Sequence, residues 1–94
     1  MSDCQTFNGV TADIFACVKK ESASEHGTVY DPPDANSGTA TTSVPIVGKI
    51  VVSFDLDPST NAITYCIVSK PGIVTEGEVF NGISETIAKC GGGS

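Results

Sequence analysis

Apolar residues recur at helical spacing near both ends of the chain and at strand spacing between them. The first stripe is Phe7, Val10, Ile14, Cys17 and Val18. The second is Val79, Phe80, Ile83, Ile87 and Cys90. Each is preceded by a capping-box pattern, Ser2 to Gln5 and Thr75 to Glu78. In such a box the hydroxyl satisfies an orphan amide and the longer side chain reaches back. Gly91 is a natural stop for the second stripe. The spacing predicts a helix over residues 3–21 and another over 75–90.

Between the helices the period changes to two. Lys49 to Leu56 alternates, Asp57-Pro58-Ser59-Thr60-Asn61 is turn chemistry, and Ala62 to Ser69 alternates again, which predicts a β-hairpin. Thr28-Val29-Tyr30 reads as a short strand. Residues 31–45, rich in Pro, Gly, Ser and Thr, read as a long loop, and 91–94 as a flexible tail. The expected architecture is a single α+β domain over 1–94. Two helices pack on a small antiparallel sheet in the order α-β-β-β-α, stapled by disulfides.

The two helical segments also resemble each other. Residues 2–17 align without a gap on 75–90, sharing Phe, Asn, Gly, Ile and Cys in register. Gly9 and Gly82 occupy matching places. A glycine inside a helix costs about 1 kcal/mol against alanine, so the pair predicts a close crossing or an early break.

Strand register and cysteine pairing constrain one another. If residues 58–61 form the hairpin loop, Val52 faces Ile67 and Phe54 faces Tyr65. One face is then Ile50, Val52, Phe54, Leu56, Ile63, Tyr65 and Ile67, and Cys66 lies on the other. A loop longer by one residue puts Cys66 beside Val52 and turns Ile63, Tyr65 and Ile67 outward as a patch for a partner. An unbroken first helix sets Cys4 and Cys17 about 19 Å apart, too far for a disulfide. That leaves Cys4–Cys90 with Cys17–Cys66, which antiparallel helices favour, or Cys4–Cys66 with Cys17–Cys90.

Composition narrows the function classes. The chain carries eleven acidic residues against five basic ones, all Lys, for a net charge of −6. A chain without Arg and with this acidic balance argues against nucleic acid and anionic membrane surfaces. No apolar run approaches a membrane span. Four Cys outside any zinc or CxxC spacing predict two disulfides and an oxidising compartment, secreted or periplasmic, with Met1 added ahead of a mature chain.

Candidate chemistry is sparse, and no enzyme, cofactor or metal is expected. Asp55, Asp57, Ser59 and Asn61 alternate as in half a calcium loop, but Thr60 stands where Gly is needed and Cys66 where the closing Glu belongs. His26, with Glu21 and Glu25 nearby, is the one imidazole available as a base. It sits at a helix end, where His commonly meets the last carbonyls.

From Gly48 onward the chain resembles the C-terminal domain of TonB-type energy transducers. The matching residues are Val52-Ser53-Phe54-Asp55-Leu56-Asp57-Pro58, Ile63, Ser69-Lys70-Pro71 and Glu78-Val79. The resemblance covers residues 48–90. It implies a non-enzymatic periplasmic domain that binds an extended peptide at a sheet edge. The expected function is therefore a small secreted or periplasmic binding module for a protein or peptide. Tyr30 and Tyr65, with Ile63 and Ile67, are the expected partner-binding residues. The alternatives are a secreted toxin or effector acting on a competing or host cell, and a self-assembling homo-oligomeric subunit.

Overall fold

A computed structural model describes residues 3–93. The chain runs β1 (Cys4–Asn8), α1 (Ala12–His26), β2 (Val29–Asp31), β3 (Ser37–Val44), β4 (Gly48–Asp57), β5 (Ala62–Ser69) and α2 (Glu76–Lys89). The strands form one antiparallel sheet in the order β1-β5-β4-β3-β2. The α+β class and the central hairpin are as expected. The element order differs, because a strand precedes the first helix and residues 37–44 are a strand rather than part of a loop.

The hairpin takes the register with Val52 opposite Ile67, Phe54 opposite Tyr65 and Leu56 opposite Ile63. Asn61, at φ 55, closes the turn. Phe54, Leu56, Ile63 and Tyr65 are thereby buried on the face that the helices cover, with Val10, Phe15, Val18, Phe80 and Ile87 facing them. The rings of Phe15, Tyr30 and Phe54 meet edge to face or tilted, with centroids 5.3 to 6.2 Å apart. Phe15, outside the expected stripe, is among the most buried side chains.

The early break explains the first segment. Gly9 has φ 70, a conformation in which a helix cannot continue. Its free α-hydrogen side also lies against the Gly93 carbonyl, where a Cβ would come within 2.9 Å. Val10 N–H donates to the Asn61 carbonyl (2.8 Å), so the chain after β1 is pinned to the hairpin turn. The helix then starts at Thr11, whose hydroxyl accepts from Ile14 N–H at 3.2 Å. The expected cap at Ser2 falls outside the described residues, and its partner Gln5 lies in β1. The second helix keeps its expected cap: Thr75 and Glu78 form the reciprocal box.

The same break decides the disulfides. They are Cys4–Cys66 and Cys17–Cys90, with no free cysteine among the described residues. The favoured Cys4–Cys90 and Cys17–Cys66 pairing is thus overturned, because Cys4 lies on a strand directly opposite Cys66 and not on a helix. One bridge crosses neighbouring strands on the face away from the helices. The other ties α1 to the end of α2. Residues 91–93 do not leave the body as a tail: Gly92 N–H donates to the Ile87 carbonyl (2.9 Å) and Gly93 N–H to the Gly9 carbonyl (3.1 Å).

Candidate functional site

The residues expected to bind a partner are mostly core. Ile63 is 0% and Tyr65 2% exposed, Ile67 is partly buried, and Tyr30 is half-buried against Phe15 and Phe54. The observed register turns Ile63, Tyr65 and Ile67 toward the helices, so they present no outward patch. Ser22, Tyr30 and Tyr65 line one cavity, and burial pushes both tyrosine pKa values up.

The face opposite the helices is mostly polar, with Val29 and Val51 on its Thr41 row. Its rows run across strands through Thr6, Thr64 and Asp55, and through the Cys4–Cys66 bridge, Ser53 and Thr39. Thr6 and Thr64 share a hydroxyl hydrogen bond at 2.8 Å.

The two edges of the sheet offer backbone groups. Ile67 N–H donates to the Asp3 carbonyl at 2.9 Å. The antiparallel alternation then turns the N–H and C=O of Gln5 and Phe7 toward β5, and those of Cys4, Thr6 and Asn8 toward the free edge. Beside that edge lies a groove of about 560 Å³. Residues 5–8 form one wall, Ser84, Ile87 and Ala88 of α2 the other, and Gly92–Gly93 close one end. Of the outward-facing residues, Thr6 and Asn8 line this groove, and among the described residues no strand pairs with that edge.

The opposite edge is short. β2 has three residues and runs into Pro32 and Pro33, which have no N–H to offer. Lys19 Nζ donates to the Pro33 carbonyl (2.9 Å) and the Ala35 carbonyl (3.0 Å) while lying 4.6 Å from the centre of the Phe15 ring. This segment is held down by α1.

The remaining candidates resolve into local structure. Asp57 accepts from the Ser59 amide (3.0 Å) and hydroxyl (2.6 Å), which hold its carboxyl below the ordinary range, so the half-calcium pattern is turn chemistry. His26 is exposed in the last turn of α1, and Glu25 beside it is engaged by Lys89 at 2.8 Å. Ile46, at the tip of the β3–β4 turn, and Ile73, in the β5–α2 loop, are exposed apolar side chains. The β1 edge escaped the sequence reading, although Cys4-Gln5-Thr6-Phe7-Asn8 carries a strand-like mix of polar and apolar positions.

Two disulfides are consistent with an oxidising compartment. Among the described residues no helix is long and apolar enough to cross a membrane. The chain matches no protein-family model, no curated protein and no solved structure.

Proposed function

We propose that this protein is a small secreted or periplasmic binding module, without enzymatic activity, that takes up an extended segment of a protein partner along β1. The observation that carries this reading is the free edge of β1 bordered by the groove against α2. In strand addition, main-chain hydrogen bonds supply affinity and pockets for alternate side chains supply specificity. Cys4, Thr6 and Asn8 offer the main-chain groups. The groove receives the partner side chains that point toward α2. The Cys4–Cys66 bridge keeps the edge from peeling away when a strand is added. The resemblance of residues 48–90 to TonB-type C-terminal domains is in keeping with this mode of use.

The same edge could pair with that of a second copy, which is the self-assembling reading. Light scattering over a concentration series separates the two: a monomer at all concentrations removes self-assembly.

Selection of linear peptides from a random display library on the oxidised protein tests the proposal. The expected result is a set of extended sequences with alternating apolar positions, whose amide shift changes map to residues 4–8 and 84–88. Peptides that map to β2 or to the Thr-rich face contradict it.

A further inference from the structure

A second cavity, of about 230 Å³, lies between the two helices and the middle of the sheet. Its walls are aliphatic: Val18 from α1, Val52 and Ile50 from β4, Val79 and Ile83 from α2. Hydroxyl groups punctuate them. Ser22, Tyr30 and Tyr65 all line it, and Thr28 and Thr42 share a hydrogen bond at 2.7 Å. Exposed His26 and Glu78 stand at its rim.

Gly82 also lines this cavity. It sits inside α2, where glycine weakens the helix. A Cβ at that position would meet no atom within 4 Å. Neither close packing nor a left-handed backbone requires glycine there, in contrast to Gly9. What glycine does supply at this place is room.

We infer that the cavity is a binding site for a small neutral amphiphile, an aliphatic molecule carrying one alcohol or carbonyl group. A dry cavity of about 150 Å³ takes benzene, which scales to roughly nine non-hydrogen atoms here. The aliphatic walls take the hydrocarbon part, and the Ser22–Tyr30–Tyr65 hydroxyls take the single polar group. Burial keeps both phenols protonated, so they remain donors as well as acceptors. Among the described residues lining the cavity there is no Lys, and Glu78 stands at its rim. The one basic group at the rim, His26, stands there with the Glu78 carboxylate, so an anionic head group finds no ammonium and meets a carboxylate. The site is separate from the β1 groove and does not depend on the edge being used.

The chain has no Trp and two Tyr, and both tyrosines border this cavity, so intrinsic emission reports on it directly. The test is a titration of the oxidised protein with 1-octanol, followed by tyrosine fluorescence and by amide shifts. The expected result is a saturable change, with shifts concentrated at Val18, Gly82 and Ile83. Octanoate at neutral pH binds at least tenfold more weakly. Gly82→Leu fills the space, and the octanol response is lost while the protein stays folded. Should the leucine not fold, Gly82→Ala, whose methyl fits without a clash, raises Tm and weakens binding severalfold. A linear, non-saturable response overturns the inference. So do shifts that map elsewhere, equal binding of octanoate, or octanol affinity unchanged in a folded Gly82 variant.

Discussion

The two edges of the sheet are built to opposite ends. At β2 the strand stops after three residues, two prolines follow, and Lys19 clasps the carbonyls of Pro33 and Ala35. At β1 the strand is longer, its free edge runs beside a groove, and a disulfide on the flat face holds it to β5. Proteins ordinarily blunt exposed edges because an unpaired strand templates association. Here one edge carries such devices and the other carries reinforcement. A strand that is fastened but left unpaired is poised to receive another.

Removing the fastening gives the largest expected effect. Replacing Cys4 and Cys66 together by Ser frees a loop with a sequence separation of 62 and is expected to cost about 2–4 kcal/mol. Peptide binding should fall with it, measured by urea unfolding and by titration with a selected peptide. Replacing Cys17 and Cys90 together is expected to cost a similar amount, yet to leave peptide affinity nearly unchanged while the protein stays folded. Equal losses of affinity in both variants would mean that the edge has no special role.

Proline scanning sharpens the comparison at a smaller cost. Gln5 N–H faces β5, so Gln5→Pro removes a ladder bond and is expected to cost about 1–3 kcal/mol. Thr6 N–H faces the free edge, where proline is tolerated. Thr6→Pro should therefore lose only the exposed Thr6–Thr64 hydroxyl contact, destabilise less than Gln5→Pro, and lose at least tenfold in peptide affinity. At the other edge, Lys19→Ala is expected to cost about 1 kcal/mol through its two carbonyl contacts and the Phe15 ring, with peptide affinity unaltered.

The smallest effect is that of pH. The Lys89 ammonium holds the Glu25 carboxyl below the ordinary range, and Glu25 in turn raises Lys89. The Thr75 backbone amide and hydroxyl lower Glu78 in the same way, as the Ser59 hydroxyl and amide lower Asp57. A carboxyl lowered on folding contributes stability above its unfolded pKa and loses it as pH falls through the folded value. The raised Lys89 contributes below its unfolded pKa and loses that as pH rises through the folded value. All these groups are exposed, so the stability curve should be shallow across neutral pH and decline in acid. Glu25→Gln should narrow its Tm difference from wild type as pH drops from 7 to 3.

The reasons some elements were legible and others were not lie in particular residues. The central hairpin alternates cleanly, and its turn residues select the register that buries Phe54 and Tyr65. The α2 cap and stripe are local signals, and they hold. The aligned first segment carries the same Phe-Asn-Gly motif, yet Phe7-Asn8-Gly9 ends a strand while Phe80-Asn81-Gly82 lies mid-helix. What separates them is tertiary: Cys4 bonded to Cys66, Phe7 edge-on to Tyr65 at 6.0 Å, and Gly93 pressed against Gly9. None of those partners is near in sequence. The Ser/Thr-rich stretch 37–44 was unreadable for a similar reason. Its strand is set by pairing with β4, and Ala40, opposite Val52, is its one core residue. Tyr30 and Tyr65 look like interface anchors by residue type, whereas the observed register places Tyr65 wholly in the core.

Amide hydrogen exchange along β1, with and without a selected peptide, tests the central claim most directly. In the free protein Gln5 and Phe7 should be protected and Cys4, Thr6 and Asn8 should exchange rapidly. With peptide bound, Cys4, Thr6 and Asn8 should become protected while the β2 amides are unaffected. Protection that appears at β2 or on the helices, with Cys4, Thr6 and Asn8 still exchanging freely, would contradict strand addition at this edge.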